Sequence, residues 1–493
     1  MLPRNLTDVR SRSTVADHLF DETPSKRASK NRNGSAAESD EDRSSELSDD
    51  LLRRILSLLP AHEAVRTCVL SRRWREVWKS VRVLRFTAAE TWGSAARFNR
   101  FVNDVLSFRD PAPLEEFEVK TYMCFPPTSS YSLILPDREE PVRYAKEWVQ
   151  YALMRDVQVL RVFVNSRNRP LLRVDTALVS QHLRTLVLHS AVLGGSSMDF
   201  SSCPTLDDLE LTSCLIMVRE IGSQSLRRLS VNNCDFSGDI CTQILTPNLL
   251  SLRLDVDGGW VPFLQSMPLL VTAYVKLVPF CTDHCRGRNN FLQCGFDTCV
   301  KCYGNHHQCV ILGGLSNATN LELAAQFLFH SWHLGAAIFK REMRMCAAFR
   351  NLKTLVLDGW VVVCEIDALI CFLQHTPVLE KITLRLYNEL RYEVEMEESC
   401  SSLEKFVPSE HLKVVEVKCT KVVKNVHKFV GILISYGIAS DLISIQETDK
   451  GLQLNLRCER MNLLLVDELL LANQKSRMNN LSDQKSGLSE TLI

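Results

Sequence analysis

A cysteine-rich segment between Cys281 and Cys309 holds the residue types best suited to bind a metal ion. Its six cysteines follow the spacing C-x3-C-x8-C-x4-C-x2-C-x6-C, with three histidines nearby. Thiolate and imidazole are zinc ligands, and Cys299 and Cys302 have the close spacing of a ligand pair. Cys281 and Cys285 are a candidate second pair. Structural zinc sites usually contain two tight pairs, so an exposed loop with incidental or oxidised cysteines stays open. We expect no cofactor, with zinc as the alternative.

The sequence lacks the motifs of common catalytic sites. It contains no G-x-x-x-x-G-K-[ST] phosphate loop, no G-x-S-x-G nucleophile elbow and no H-E-x-x-H metal site. The glycine pairs at 194–195 and 313–314 lack the spacing of a dinucleotide fingerprint. His182, His189 and His375 lie at the edges of a sequence repeat, where surface or hydrogen-bonding roles are commoner than catalysis. We therefore predict a protein with no catalytic residue.

Composition restricts the class of partner and the compartment. The 493 residues include 58 Lys and Arg against 58 Asp and Glu, so no overall field favours nucleic acid or a membrane surface. The N-terminus has no apolar stretch typical of a signal peptide, and no apolar run has the length of a membrane span. Eighteen cysteines without a secretion signal predict reduced, mostly buried thiols. We expect a cytoplasmic or nuclear protein, or both, that binds neither nucleic acid nor membrane.

A repeat of the form L-x-x-L-x-L begins at about residue 157. Its clearest copies start at Leu206 and Leu226 and carry Cys214 and Cys234 at the ninth position. The other copies start at Leu160, Leu183, Leu249, Leu270, Ala318, Leu352, Leu379 and Leu412. Starts from 160 to 270 are 23, 23, 20, 23 and 21 residues apart, the period of leucine-rich repeats. The later spacings of 48, 34, 27 and 33 residues leave room for insertions and helices.

The repeat predicts an α/β architecture built by stacking. One copy is a short strand with a return segment and cannot bury its own apolar side, so stacked copies should form a leucine core and a parallel sheet. We predict an irregular leucine-rich-repeat solenoid with a parallel concave sheet, with an ordinary α/β sheet as the alternative. Between Leu352 and Leu379, the return segment should be helical, because Ile366, Leu369 and Leu373 have helical spacing.

The strand residues that alternate with the leucines should point away from the core and form a face for a target protein. This face is mixed in charge, which suits a protein better than a phosphate backbone. The candidate target-binding residues are Asp208, Glu210, Thr212, Arg228, Asn232, Arg253, Asp255, Asp358 and Arg385. Any exposed strand face is polar, so a purely structural role for each of them stays open.

Residues 46–86 predict three short helices. Ser48 suits the N-cap of the first helix, Pro60 can open the second, and Ser71 suits the N-cap of the third. The first helix carries five apolar residues on one broad face, and Trp74 and Trp78 lie one turn apart on the third. About 40 residues cannot close a core of their own. The surplus apolar surface must therefore contact a partner or, as a helical cap, the next domain.

These residues resemble an F-box in the form common in plant proteins. The resemblance rests on LSDDLL at 47–52, ILSLLP at 55–60 and AVRTCVLSRRWR at 64–75, followed by Trp78. It implies docking on the Skp-type adaptor of a cullin–RING ubiquitin ligase. The implied adaptor-binding residues are Leu47, Leu51, Leu52, Ile55, Leu59, Pro60, Val65, Val69, Leu70, Trp74 and Trp78. The family usually has Ile at Ser44 and Pro at Ser48, positions that tend to lie in the adaptor contact.

The remaining segments complete the predicted organisation. Helices are expected around residues 98–106, 142–154, 426–434 and 458–472, and a strand at 117–119. The region after the repeats loosely resembles the FBD region of plant F-box proteins. We predict a disordered tail at 1–43, an F-box at 44–86, a connector at 87–156, leucine-rich repeats at 157–400 with an insertion at 281–309, an FBD-like region at 401–472 and a disordered tail at 473–493.

The order of these segments is similar to that of the plant F-box/LRR/FBD family. Some grass members carry a similar cysteine-rich insertion, to which the resemblance assigns no function. The resemblance implies a substrate-recognition subunit of a Skp–cullin–F-box ubiquitin ligase that is not itself an enzyme. Its partners would be the Skp-type adaptor, through it the cullin, and an unknown target protein. A ligase-independent interaction module with a degenerate F-box is the second hypothesis, and a metal-dependent or small-ligand sensor is the third.

Overall fold

The computed structural model describes most of the chain between residues 47 and 447. The described residues are 47–87, 92, 94–122, 140–165, 172–237, 241–278, 281–282, 309–325, 334–359, 366–386, 410–419 and 424–447. Their α-helices are α1 (Asp49–Leu56), α2 (Ala61–Arg66), α3 (Arg72–Val77), α4 (Ala95–Phe108), α5 (Glu140–Leu153), α6 (Leu312–Leu315), α7 (Leu334–Met343), α8 (Ile366–Gln374) and α9 (Lys424–Ser435). Within these ranges, we find no helix with the length and apolarity needed to cross a membrane.

The strands outnumber the helices and are short. They are β1 (Val83–Phe86), β2 (Glu116–Tyr122), β3 (Val159–Asn165), β4 (Leu172–Val174), β5 (Thr185–His189), β6 (Ala191–Gly195), β7 (Asp208–Thr212), β8 (Leu215–Val218), β9 (Glu220–Gly222), β10 (Arg228–Phe236), β11 (Gln243–Leu245), β12 (Ser251–Trp260), β13 (Phe263–Leu264), β14 (Thr272–Leu277), β15 (Cys281–Thr282), β16 (Asn320–Ala325), β17 (Thr354–Asp358), β18 (Lys381–Leu386), β19 (Val414–Cys419) and β20 (Ile443–Glu447). They form a 17-stranded sheet and a three-stranded sheet.

One parallel ladder runs through the whole described chain. Its strands pair in the order β1, β2, β3, β5, β7, β10, β12, β14, β16, β17, β18, β19 and β20. The leucine positions of neighbouring strands face each other, as Leu209 and Leu229 do, and these side chains are buried. The chain is thus a mixed α/β protein with a large parallel sheet, as the repeat predicts.

The register of the ladder corrects the start of the first repeat. Copies from Leu183 onward begin two residues before an observed strand, as Leu183 does before Thr185. Leu160, however, pairs with Leu186, which is the second leucine of the copy that starts at Leu183. The first copy therefore starts at Val157, which is buried like the leucines that it replaces. Because this position carries valine, a search for leucine does not find the true start of the first copy.

The same register extends beyond the predicted repeats at both ends. Leu84 pairs with Phe117, and Phe117 pairs with Leu160, so β1 and β2 hold two earlier copies of the pattern. At the other end, Val415 pairs with Ile443 of β20. The sheet therefore begins inside the N-terminal helical unit. These end copies carry aromatic and β-branched residues, which bury in the same way but break the leucine pattern.

Repeat length decides how the chain returns after each first strand. Copies of 20 to 23 residues are too short for a strand, a helix and two loops, and they fold back through further short strands instead. The turns into β6 and β8 have positive φ at Ser190 (57°) and Ser213 (51°), and the irregularity within β10 has positive φ at Asn233 (51°). The longer copies contain α7 and α8. The predicted helical return between Leu352 and Leu379 is confirmed as α8.

The predicted helices outside the repeats are present with small shifts. In α4, the apolar residues at 98, 101, 102, 105 and 106 are all buried. In α5, the side chains of Ala145, Trp148, Val149 and Ala152 are buried, and in α9 those of Val426, Phe429 and Leu433. Ile434 was predicted for the same face of α9 but is 42% exposed. The helix predicted at 458–472 lies outside the described residues.

The cysteines that the structure describes are free thiols. Nine of them are buried and Cys371 is half-buried. Cys214 lies in the turn after β7 as predicted, whereas Cys234 lies within β10, at a shift in strand register. The backbone N–H of Cys214 donates to Sγ of Cys234 at 3.3 Å. Burial raises the pKa of Cys346 and of Cys309 to about 12. Low thiolate content and burial both slow alkylation.

We expect the native protein to react with iodoacetamide at Cys371 before any other described cysteine. Cys234 and Cys281 should be labelled only after unfolding, because their side chains are buried and burial raises their pKa values. Peptide mass spectrometry of native and denatured samples measures this order. Fast native labelling of Cys234 would contradict its packing in the core.

A buried carboxylate joins α7 to the start of α6. Glu342 is 1% exposed. Its two oxygens accept the backbone N–H groups of Val310 (2.8 Å), Ile311 (3.0 and 3.2 Å) and Leu312 (2.8 Å). Burial raises the pKa of Glu342, and these N–H groups oppose the rise. The carboxylate thus satisfies three donors that would otherwise be unpaired at a helix start.

Candidate partner-binding surfaces

Local hydrogen bonds set the position of α1. The Ser48 hydroxyl accepts the Leu51 backbone N–H at 3.4 Å, so Ser48 is the N-cap that the sequence predicts. Asp49 pairs with Arg73 at 2.6 Å, which ties α1 to α3. Ser71 precedes α3, but its side chain makes no capping hydrogen bond, so that prediction is only half right. Pro60 lies at the N-cap of α2.

The large apolar side chains of this unit fall into an exposed and a buried set. The exposed set, which we call the N-terminal apolar surface, consists of Leu51 (50% exposed), Ile55 (43%), Leu58 (76%), Val69 (71%) and Leu70 (64%). The buried set includes Leu52, Leu56, Val65, Trp74 and Trp78. Leu47, Leu59 and Pro60 are half-buried. Exposed apolar residues in such number are typical of an interaction surface.

This division separates the predicted adaptor-contact residues by exposure, and adaptor contact by each of them stays a prediction. Leu52, Val65, Trp74 and Trp78 lie in the core, so their side chains are not available to a partner in this conformation. Leu58 was not among the predicted contact residues, although it is the most exposed large apolar residue of this unit. Helical spacing contains the signal, because 51, 55 and 58 form one stripe and 52, 56 and 59 form the next, about 100° away.

One arginine joins the helical unit to the sheet, and two others brace the helical unit and the loops beside it. Arg85 of β1 donates to the Ser57 carbonyl at 2.6 Å and binds Glu116 of β2 at 2.9 Å. Arg53 of α1 donates to the Ser80 hydroxyl at 2.8 Å. The buried Arg109 donates to the carbonyls of Val81 and Ala112. The N-terminal apolar surface is therefore held in a fixed place relative to the first strands.

Most of the predicted target-binding residues bond to each other or to neighbours across the strands. Asp208 lies opposite Arg228 and binds it at 3.2 Å. Arg253 donates to Asn232 at 2.9 Å and stacks on the Tyr274 ring at 4.0 Å. Such cross-strand pairs stabilise a sheet by themselves. The purely structural reading accounts for these contacts, and target contact by these residues stays a prediction.

A second set of pairs lies further along the face. Arg385 bridges two carboxylates, those of Glu322 (2.5 Å) and Asp358 (3.1 Å). Asp255 binds Lys276 at 3.5 Å. Burial raises the pKa of Asp358, while Arg385 opposes the rise. Glu210 and Thr212 are half-buried on the same face, where Glu210 faces the Val187 and Ser230 positions and Thr212 those of His189 and Asn232.

Replacing Arg385 with Met should destabilise the protein in a pH-dependent way. The change leaves two carboxylates without their shared cation, so we expect a loss of about 1–3 kcal/mol near neutral pH. The pKa of Asp358 should rise further. A carboxyl with a raised folded-state pKa favours folding below its ordinary pKa, and this contribution is lost as pH rises.

The loss should therefore grow between about pH 4.5 and pH 7.5, which urea unfolding at both values measures. The matched control is Lys413→Met, which removes an exposed pair with Glu380 and should have little effect. A loss that is equal at both pH values would show that Asp358 is not the responsible group.

Only one of the predicted zinc ligands lies within the described residues. Cys281 is buried, and its thiol donates to the Val256 carbonyl at 3.5 Å. Burial raises the pKa of this thiol, which disfavours the thiolate that zinc binds. Cys285, Cys299 and Cys302 lie outside the described residues. Among the residues that are described, no group of His, Cys, Asp or Glu could hold a metal ion. The zinc site stays a prediction, which metal analysis of the purified protein would test.

Comparison with known proteins identifies the helical unit. Residues 44–86 match the family model of the F-box domain. The N-terminal unit is an F-box. An F-box/FBD/LRR-repeat protein of Arabidopsis thaliana is 26% identical over 398 residues, which cover 73% of this chain and 80% of that protein. A second one is 27% identical over 271 residues, 48% of this chain and 60% of that protein. The predicted resemblance to F-box/FBD/LRR-repeat proteins is thus confirmed at modest identity.

A relative from another plant shows a similar extent of alignment. A meiotic F-box protein of Oryza sativa subsp. japonica is 28% identical over 376 residues, covering 70% of this chain and 71% of that protein. These alignments reach well beyond the 44–86 segment of the F-box match. The likeness therefore includes strands of the parallel sheet.

Proposed function

We propose that this protein is the substrate-recognition subunit of a Skp–cullin–F-box ubiquitin ligase. The observation that carries the proposal is the N-terminal apolar surface, which is exposed on a unit that matches the F-box domain. Large apolar side chains gain free energy when a partner removes them from water. A Skp-type adaptor would cover this surface, and the cullin would join through the adaptor.

The rest of the chain would act as a scaffold for a target. In this proposal, the parallel sheet is the concave face of an irregular leucine-rich-repeat solenoid that ends in an FBD-like region. The solenoid holds a target protein while other subunits perform the transfer of ubiquitin. The protein itself is non-catalytic and works in the cytoplasm, the nucleus or both. The rigid attachment of β1 to the sheet supports this arrangement, because it fixes the F-box relative to the bound target.

The test is capture of a plant Skp-type adaptor and cullin by the purified full-length chain. We expect a ternary complex that co-elutes in size-exclusion chromatography. Deleting residues 44–86 is a poor control, because it removes β1 and exposes the edge of β2. Point variants of the N-terminal apolar surface are better. A folded wild-type chain that captures no adaptor would contradict the proposal.

A ligase-independent interaction module is the second candidate, and one observation favours it. Leu52 and Leu56 of α1 are buried in the same core as the strands, so the helices also serve as a cap. Ser48 forms a helix N-cap where the family usually has proline. Restoring Pro at Ser48 and Ile at Ser44 should strengthen adaptor capture under the first function and change nothing under the second.

A further inference from the structure

The residues immediately before ten strands of the ladder, from β3 to β19, form a continuous row along one edge of the sheet. Each backbone N–H in this row donates to the carbonyl of the row's preceding member, at 2.8–3.0 Å. In order, the row is Gln158, Arg184, Asp207, Arg227, Leu250, Val271, Thr319, Lys353, Glu380 and Lys413. We call this row the strand-start rim. Its members are one strand apart, which is about 4.8 Å.

The charges along the rim follow a symmetric pattern. On the N-terminal side of the rim's centre, the side-chain charges are positive, negative and positive, at Arg184, Asp207 and Arg227. On the C-terminal side, the same order recurs at Lys353, Glu380 and Lys413. The three positions between them, Leu250, Val271 and Thr319, carry no charge. Three uncharged positions, of which Val271 is exposed and Leu250 and Thr319 are half-buried, thus interrupt a row of alternating charges.

The centre of the rim is apolar and accessible. Val271 is 45% exposed, and Leu269, in the turn before it, is 52% exposed. Leu250 and Leu269 also line a groove of about 610 Å³, whose lining is otherwise mostly polar and includes Asp207 and Arg227. Exposed Leu and Val beside a groove differ from the polar residues that occupy the rest of the rim, and such a patch is typical of a binding site.

The cation on each flank of the centre is only loosely paired. Asp207 binds Arg228 at 2.6 Å but lies 3.6 Å from Arg227. Glu380 binds Lys413 at 2.7 Å but lies 3.7 Å from Lys353. On each side, the carboxylate has a closer partner than the flanking cation. Arg227 and Lys353 can therefore form an ion pair with a carboxylate of another molecule, because the long ion pairs that they would lose contribute little free energy.

We propose that the strand-start rim binds an extended segment of a partner protein that has apolar side chains between two acidic residues. Arg227 and Lys353 are four strands apart along the row, about 19 Å, which an extended chain covers in about six residues. The acidic residues of the segment pair with these two cations, and its apolar side chains contact Leu250, Leu269 and Val271. The proposal deepens the proposed function, because the segment would belong to the target of the ligase.

The test is selection of random dodecapeptides, displayed on phage, against the immobilised full-length chain. We expect enrichment of peptides with two or three apolar residues flanked by Asp or Glu on both sides. The affinity of the best peptide should fall about tenfold or more in the double variant Leu269→Asp, Val271→Asp. The variant Arg227→Glu, Lys353→Glu should instead select peptides with basic flanks.

Matched controls separate this surface from general effects. Met217→Asp changes an equally exposed apolar residue on β8, and Arg219→Glu changes an exposed arginine after β8, so both should retain the peptide. Adaptor capture, measured on the same variants, should be unchanged, which separates failure of this site from failure of the ligase function. No enrichment, basic-flanked peptides on the wild-type chain, or binding that survives Leu269→Asp, Val271→Asp would overturn the proposal. Self-association of the wild-type chain through the rim would overturn the assigned occupant.

Discussion

Leu58→Glu is expected to abolish capture of the Skp-type adaptor without unfolding the protein. Leu58 is 76% exposed, so the substitution should leave the core and the melting temperature unchanged. A charged residue within an apolar contact would leave an unpaired carboxylate buried in the complex. We expect the affinity to fall about 30-fold or more, as for residues that dominate an interface. Surface plasmon resonance with immobilised adaptor measures this loss.

Two variants control this result. Met154→Glu changes a residue that is as exposed as Leu58 but lies just after α5, so it should keep full affinity. Leu52→Ala removes a fully buried side chain and should destabilise the fold by about 2–5 kcal/mol. Full adaptor affinity in both Leu58→Glu and Ile55→Glu would show that the N-terminal apolar surface does not bind the adaptor.

Glu342→Leu is expected to be among the most destabilising single changes in the repeats. It leaves the backbone N–H groups of Ile311 and Leu312, which are buried, and of Val310, which is half-buried, without their acceptor. A buried donor without a partner costs about 1–3 kcal/mol, so we expect a loss of about 3–5 kcal/mol when the donors relax in part. Thermal unfolding followed by circular dichroism measures this loss.

A local readout distinguishes this mechanism from general weakening. The Cys309 thiol lies 3.7 Å from the Glu342 backbone carbonyl, so loosening of this region should accelerate its alkylation in the native protein. Alkylation of Cys234, which lies in other repeats, should not change below the melting temperature. Glu147→Leu on the exposed side of α5 is the matched control. An unchanged melting temperature would mean that water or other groups satisfy the three donors.

The core of the repeats is the part that sequence predicts best. An inward leucine recurs at fixed positions because each strand must bury the same side against its neighbours, so the pattern fixes the strands and their register together. The prediction fails where other residues do the same work. Leu84, Phe117 and Val157 occupy positions of the repeat in the structure. Their copies carry aromatic or β-branched residues where the pattern has leucine, so a search for leucine does not find them.

The surface was harder to predict, because exposure of a side chain depends on what packs against it. Two apolar stripes run side by side on α1, and the sequence alone assigned both to one face. Only the packing of α1 against α3 shows that Leu52 is buried while Leu51 is exposed. In the same way, the sequence presents Asp358 and Arg385 as exposed charges, whereas the paired strands bring them together.

By itself, the sequence determined the F-box resemblance, the repeat and the parallel strands, because each depends on residues close together in the chain or on a regular period. Tertiary structure alone decided which apolar residues of the F-box remain for a partner and that the sheet begins within the F-box segment. It also decided that Glu342 holds a segment 30 residues away and that one rim of the sheet alternates in charge around an apolar centre. These features depend on contacts between distant segments, whose partners no local pattern specifies.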